Sequence, residues 1–185
     1  MSPYYTRSGD DGKTGMLGEG RLPKYHLRME TLGTLDEATA ALGLARSICQ
    51  ARQTSDLIID IQQDLYLLMA EVAASPHHAA RFRKLDPSRL EWLEIQTDSL
   101  GESVHPPSGF ILPGNSQAGA VLSLARAIVR RAERHLAEML DKKELENPLL
   151  LKYLNRLSSL CFLLELLEDQ TADRVTRSAK SKKQP

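Results

Sequence analysis

Arg126, Arg130 and Glu133 have residue types and a spacing that suit the binding of a polyanion. Steps of four and then three residues place their side chains in one column along a helix. Guanidinium groups bind anionic oxygens through paired N–H donors, and the apolar period of residues 111–136 predicts a helix of a bundle. The alternative is a solvated helix face on which these charges form salt bridges.

A second candidate segment is the glycine-rich sequence GDDGKTG, from Gly9 to Gly15. A P-loop needs four residues between its first glycine and Gly-Lys-Thr, and this segment has only two, so we reject a P-loop. Glycine N–H groups in such a loop still suit phosphate binding, with positive charge from Arg7, Lys13 and Lys24.

The spacing of potential metal ligands predicts no metal site built by protein side chains alone. Glu102 and His105 have the Glu-x-x-His spacing of di-iron bundles, but those proteins need two such motifs and two further glutamates. The sequence has no second copy, and prolines directly follow His105. His77 and His78 have no carboxylate partner nearby, so we expect them at the surface.

Polar residues interrupt two otherwise apolar helical segments. Asp36 and Glu37 lie among small and apolar residues, so a packed Asp36 needs a cation, for which Arg126 is the natural candidate; plain exposure is the alternative. Asn155 and Ser159 are four residues apart and share one face of the last helical segment. This polar notch indicates a pocket, although exposure explains it nearly as well.

The composition favours packed helices. Of the 185 residues 42% are apolar but only 5% aromatic, and leucine and alanine dominate. The formal net charge is zero, which excludes a basic field for holding nucleic acid. Cys49 and Cys161 fit no metal or redox spacing, and no apolar run is long enough to cross a membrane. With no signal peptide in the N-terminal sequence, we expect a cytoplasmic protein.

The pattern of apolar residues and helix breakers predicts an all-α fold. We expect five helices, over about residues 26–51, 55–74, 87–103, 116–142 and 148–169, in a ferritin-like up-and-down bundle. Asp86-Pro87 and Asn147-Pro148 start the third and the fifth of them. The chain thus divides into a polar loop (1–25), a helical domain (26–170) and a disordered basic tail (171–185).

In this order, the segments resemble one family, the PduO-type ATP:cob(I)alamin adenosyltransferases. The resemblance covers residues 5 to about 168. It rests on YTRSGDDGKTG, ETLGTLDE, FILPG, ARAIVRRAERHL and YLNRLS, which occur in the family's order and at its spacing. It implies a homotrimer of five-helix bundles with ATP at each subunit interface, so the N-terminal loop is expected to bind the nucleotide.

The resemblance also implies the site residues. The loop that wraps ATP corresponds to Thr6, Arg7, Ser8, Gly9, Thr14, Gly15 and Lys24. The residues that hold the triphosphate and its Mg²⁺ correspond to Arg130, Arg131, Glu133 and Arg134, and Asn155 is a further ATP contact. Phe110 and Ser159 correspond to corrinoid-pocket positions, and Asp36 and Arg126 to a salt bridge across the interface. Arg126, Arg130 and Glu133 are the expected catalytic residues.

In the reaction that the resemblance implies, the protein supplies no nucleophile of its own. Cob(I)alamin attacks C5′ of ATP through cobalt and expels triphosphate, so the protein must orient the reactants and stabilise the anionic leaving group with arginines and Mg²⁺. Phe110 helps displace the lower axial base of the corrinoid. A cobalamin reductase and a cobalamin-dependent mutase are the expected partners; nucleic acid and membrane are not.

The chain departs from the family pattern on the corrinoid side. The family usually has histidine at Ser123 and aspartate at Ser159, and Thr39 replaces a usual asparagine. These departures favour an alternative, a non-catalytic paralogue that binds ATP or a corrinoid for delivery or regulation. Arg130, Glu133 and Asn155 are retained and favour the enzyme.

Overall fold

The computed structural model describes residues 4–105, 107 and 109–180. These residues form mostly helices, with four short strands. In chain order the elements are β1 (Lys13–Gly15), β2 (Arg21–Pro23), α1 (Leu27–Ile48), α2 (Arg52–Ala73), α3 (Ala79–Phe82), α4 (Pro87–Ser103), β3 (Ile111–Leu112), α5 (Gln117–Asp141), α6 (Pro148–Thr171) and β4 (Arg177–Ser178). The five long helices lie within a few residues of the predicted ranges.

A capping side chain begins each of the last three long helices, and two of them, Asp86 and Asn147, are those expected from the sequence. Asp86 accepts a hydrogen bond from the backbone N–H of Ser88 (2.9 Å) at the start of α4. Ser116 Oγ accepts one from Gly119 N (3.0 Å) at the start of α5, and Asn147 Oδ1 accepts one from Leu149 N (3.1 Å) at the start of α6. Each satisfies a backbone donor that has no partner within its helix.

Helix α5 packs between α1 and α6, while α2 covers α1 and α4 covers α6. Its buried stripe has the three- and four-residue steps of the sequence pattern: Ala118, Leu122, Ala125, Val129, Ala132, Leu136 and Met139. Arg130 and Arg134 lie outside this stripe and are exposed, so their charged groups are accessible to a ligand.

Two short segments depart from the sequence prediction. A 3-10 turn (Pro76–His78) and the four-residue α3 follow α2, in a region read as loop. Strand β4 lies in the tail expected to be disordered and pairs antiparallel with β3. For residues 177–178 the prediction of disorder is therefore wrong. These residues form hydrogen bonds with β3, and the composition of the tail alone does not indicate this pairing. Residues 181–185 lie outside the described residues.

None of the helices in the described part of the chain combines the length and the apolar character that crossing a bilayer requires.

Candidate functional site

Arginines of α5 form one part of the candidate site. Arg130 is exposed, and among the described residues no acidic group pairs with its guanidinium. Arg134 lies one turn further and donates to the backbone oxygen of Arg130 (3.0 Å). Arg131 instead pairs with Glu37 of α1. Of the three arginines expected to hold a triphosphate, Arg130 is thus the most available to a ligand.

Glu133 and Asn155 meet between α5 and α6. Asn155 Nδ2 donates to Glu133 Oε1 over 2.8 Å. Arg156 donates to Asn155 Oδ1 (2.8 Å) and also pairs with Glu94 of α4 (3.0 Å). The structure therefore brings together two residues that the sequence analysis assigned to the same ligand from separate helices.

The N-terminal loop is a small hairpin fastened by one ion pair. Arg21 donates to both carboxylate oxygens of Asp11 (2.9 and 2.8 Å) and to the backbone oxygen of Ser8. The hydrogen bonds to Arg21 and Lys13 lower the pKa of Asp11. The Thr6 and Ser8 hydroxyls are 2.7 Å apart. The hairpin therefore has a defined shape with exposed polar side chains.

Within this hairpin two predicted phosphate-binding residues lie close together. A β-carbon placed on Gly9 would be 3.1 Å from Lys24 Nζ, so the ammonium group lies directly over the glycine backbone. Thr14 and Gly15 lie in β1, opposite Leu22 and Arg21. Arg7 is exposed and has a left-handed backbone (φ 61°), a conformation that directs the chain back on itself.

The hairpin and the α5 arginines remain separate within one chain. None of the hydrogen bonds or ion pairs described for residues 6–24 reaches α5. The hairpin instead joins the end of α2, where Leu17 and Ala74 form a β-bridge. The two parts of the predicted ATP site therefore do not meet in the isolated chain.

Asp36 and Arg126 also remain apart in the isolated chain. Asp36 is exposed on α1, and no ion pair between the two side chains occurs among the described residues. Arg126 is half-buried, lies over the ring of Phe162 (5.7 Å), and its Nε is buried without a hydrogen-bond partner in the described residues. The expected bridge between subunits stays a prediction.

A cavity of about 440 Å³ lies beside Arg126. Its walls are apolar, and its polar groups come from α5 and α6. The lining residues are Pro107, Gly109, Phe110, Ile111, Pro113, Ser123, Arg126, Phe162 and Glu165. Phe110 is 86% exposed and forms an edge of this cavity. Ser159, the second predicted corrinoid residue, is exposed on α6 and is not part of the lining.

Glu165 is a residue of this cavity that the sequence analysis missed. Only 1% of its side chain is exposed, and its Oε1 is buried without a hydrogen-bond partner among the described residues. Burial raises its pKa to about 7; the charge of Asp169 adds to the rise, and Ser123 and Arg126 oppose it. The available signal was an acidic residue in the apolar run LCFLLELL.

The fold and the site define a class, namely helical proteins in which a cationic surface and an apolar-walled cavity meet along one helix. Arg126 lines the cavity, and Arg130 follows it one turn along α5, so two ligands bound at these positions would be neighbours. A model of the cobalamin adenosyltransferase family matches residues 4–168, and the chain belongs to that family.

Relatives of known function agree with this assignment. The chain is 38% identical over 169 residues to the corrinoid adenosyltransferase PduO of Citrobacter freundii, covering 91% of this chain and 50% of that protein. It therefore spans about half the length of that relative. It is 35% identical over 183 residues to a corrinoid adenosyltransferase of Mycobacterium tuberculosis, covering 96% of this chain and 94% of that one.

Solved structures have the same fold. A variant of the PduO-type ATP:corrinoid adenosyltransferase from Lactobacillus reuteri, complexed with cobalamin and ATP, superposes with a TM-score of 0.87 at 28% identity. The match covers 96% of this chain and 97% of that one. A second variant of that enzyme, complexed with ATP, gives a TM-score of 0.87 at 29% identity and covers 95% and 99% of the two chains.

Proposed function

We propose that this protein transfers the 5′-deoxyadenosyl group of ATP to the cobalt of cob(I)alamin and releases triphosphate. The observation that carries the proposal is the junction of the two surfaces on α5. An unpaired, exposed arginine, Arg130, lies one turn from Arg126 at the edge of an apolar-walled cavity. A polyanion on the first surface and a large apolar ring in the second bring C5′ and cobalt together.

The residues of the chain bind, orient and neutralise. Arg130 and Arg134 donate to phosphate oxygens, and their charge stabilises the triphosphate as the C5′–O bond breaks. Gly9 and Lys24 hold the nucleotide from the hairpin side, together with the hydroxyls of Thr6 and Ser8. Phe110 and the apolar cavity walls exclude water from the cobalt face, which keeps the nucleophile reactive.

Glu133 and Asn155 fit a role in holding Mg²⁺ with the nucleotide. The Glu133 carboxylate accepts a hydrogen bond from Asn155 Nδ2 (2.8 Å) and lies one turn beyond Arg130 on α5, and hard oxygen atoms are the ligands that Mg²⁺ prefers. Bound Mg²⁺ neutralises part of the negative charge of the leaving triphosphate. The carboxylate of Glu133 would hold the ion, and Asn155 would orient that carboxylate through its Nδ2 group, since its own Oδ1 already accepts a hydrogen bond from Arg156.

We further propose that the working form is a homotrimer of five-helix bundles, with ATP between neighbouring subunits. Three observations support an interface on α1 and α5. The hairpin does not reach the α5 arginines of its own chain, Asp36 is exposed without a described partner, and Leu44 and Leu124 are 53% and 55% exposed. A neighbouring subunit that covers these residues also supplies the missing contacts, with Asp36 bound to Arg126.

An anaerobic assay with ATP, Mg²⁺ and chemically reduced cob(I)alamin tests the proposed function. We expect the absorbance spectrum to change to that of adenosylcobalamin, with one triphosphate released per product molecule. In the cell, a reductase must supply cob(I) and an adenosylcobalamin-dependent enzyme such as a mutase must consume the product. ATP binding without turnover would contradict transfer and support a paralogue that delivers or senses its ligands.

A further inference from the structure

Glu165 has no role in the transfer reaction proposed above, although it lines the cavity. The groups around it come from three segments. Helix α5 contributes Ser123 and Arg126, α6 contributes Phe162 and Asp169, and the segment before α5 contributes apolar residues of the cavity wall. A buried carboxylate oxygen without a hydrogen bond is costly, so a missing partner is indicated at Oε1.

Arg126 presents a second unsatisfied atom on the same cavity. Its Nε is buried without a partner among the described residues, and no ion pair joins it to Glu165 in that part of the chain. The acceptor Oε1 of Glu165 and the donor Nε of Arg126 thus belong to two residues that line the same cavity, and neither atom forms a hydrogen bond in the described part of the chain. A primary carboxamide has both complementary groups, an N–H donor and a carbonyl acceptor.

We propose that Glu165 and Arg126 Nε bind a neutral carboxamide arm of the corrinoid and so select amidated corrinoids over those with a carboxylate in its place. This inference rests on the proposed function in one respect, that the cavity binds a corrinoid. The corrin ring carries carboxamide arms around its rim, and the rings of Phe110 and Phe162 suit its apolar face. The remaining N–H groups of Arg126 stay available for Asp36 of a neighbouring subunit.

Charge makes the contact selective. An arm that ends in a carboxylate brings a second negative group against Glu165, whose burial leaves little water around it to screen the repulsion. One of the two carboxyl groups must then take up a proton, or the arm must leave the site. A carboxamide arm is neutral, so it is not repelled by Glu165 and no proton has to be taken up. Its N–H group donates a hydrogen bond to the charged carboxylate of Glu165.

The test compares cobalamin with its three monocarboxylic acids, each of which has one propionamide arm hydrolysed to a carboxylate. Binding of the cob(II) forms is measured by calorimetry at about pH 8, where Glu165 is mainly ionised, with ATP and Mg²⁺ present. We expect at least one isomer to bind about 10-fold more weakly than cobalamin, the factor that corresponds to 1.4 kcal/mol. In Glu165→Gln this penalty should shrink to about 2-fold or less.

Glu168→Gln is the matched control. Glu168 is equally buried on α6, but it accepts hydrogen bonds from the backbone N–H groups of Gln50 (2.8 Å) and Ala51 (3.2 Å) and does not line this cavity. Its variant should keep the wild-type discrimination. Circular dichroism melting checks that both variants are folded, and the wild-type comparison of isomers stands without either of them.

Adenosylation of cobalamin by the same wild-type sample separates the two proposals. Turnover with equal affinity for cobalamin and all three acids would overturn the role of Glu165 but not the transfer reaction. Turnover with a penalty that is unchanged in Glu165→Gln would have the same meaning. Discrimination without turnover overturns the transfer reaction alone. Absence of corrinoid binding overturns both.

Discussion

Arg130 owes its availability to the residues around it on α5. Its neighbour Arg131 pairs with Glu37, and Arg134 is anchored to the backbone oxygen of Arg130, whereas the guanidinium of Arg130 meets no acidic group among the described residues. An exposed, unpaired guanidinium keeps its full capacity to bind a phosphate group.

We expect Arg130→Ala to lower kcat for adenosylcobalamin formation at least about 100-fold, equivalent to about 3 kcal/mol of lost transition-state stabilisation. The reason is the loss of positive charge from the leaving triphosphate. The anaerobic spectrophotometric assay measures the effect. Arg52→Ala is the control, since Arg52 is exposed at the start of α2 and, among the described residues, forms its ion pair with Asp56. Equal activity of wild type and Arg130→Ala would remove Arg130 from the mechanism.

Glu165 makes stability depend on pH in a predictable direction. Its pKa is about 7 in the folded protein and about 4.5 in an unfolded chain, because burial disfavours the carboxylate despite Ser123 and Arg126. Between these values the folded state binds more protons, so stability falls as pH rises and the penalty is complete above about pH 7.

Glu165→Gln removes this titration. We therefore expect its free energy of unfolding, relative to wild type, to rise by about 1–3 kcal/mol between about pH 5 and pH 8. Urea unfolding at the two pH values, without corrinoid, measures the change. A difference between the variants that stays constant with pH would show that the pKa of Glu165 is not raised.

At the scale of the elements, one buried polar network fixes α2, α4 and α6 relative to each other. Asp64 of α2 accepts hydrogen bonds from Tyr153 Oη of α6 (2.7 Å) and from Arg89 of α4 (2.8 Å). Burial first, and then the charge of Asp64, raise the pKa of Tyr153, so this hydroxyl stays protonated and donates. The network holds α6, which carries Asn155 and Glu165, in its position against α5.

Tyr153→Phe should lower the free energy of unfolding by about 1–2 kcal/mol, because Asp64 loses a buried donor while the ring still fills its space. Urea denaturation monitored by circular dichroism gives the value. Tyr66→Phe is the matched control: its ring is 69% exposed on α2, and we expect a change within about 0.5 kcal/mol. Equal stability of the two variants would mean that the Tyr153 hydroxyl adds nothing net to the fold.

The whole molecule offers the two halves of an ATP site without joining them. The hairpin packs at the end of α2. Arg130, which has no acidic partner among the described residues, lies on a different helix, α5. An assembly in which the hairpin of one subunit faces α5 of the next completes the site, and the Asp36–Arg126 bridge would fasten it.

We expect Asp36→Ala to weaken the trimer, at a cost of about 3 kcal/mol if the bridge is buried, because Arg126 then lacks its partner. Sedimentation velocity over a range of protein concentrations should show dissociation of the variant at concentrations where wild type is trimeric. Asp98→Ala, on the exposed side of α4, serves as the control. A wild-type monomer, or a variant trimer as stable as wild type, would count against the bridge.

The sequence by itself determined the long helices and the positions of the charged residues along α5. Apolar residues at steps of three and four, with Asp86 and Asn147 as caps, act over a few neighbouring residues, so they can be recognised without knowing the fold. Glu133 and Asn155 were expected to contact one ligand, and that shared role stays a prediction, although the two side chains do meet in the structure. The motifs supplied that inference, since residue types alone left a solvated helix face open.

Only the tertiary structure decided which groups are buried and which meet. Glu165 lies within the apolar run LCFLLELL of α6, but that run does not show which residues of α5 and which aromatic side chain line the same cavity. The pairing of Glu37 with Arg131, and of β4 with β3, joins residues separated by 94 and by more than 60 positions along the chain. Burial and long-range contacts depend on packing between elements, and local sequence patterns do not encode that packing residue by residue.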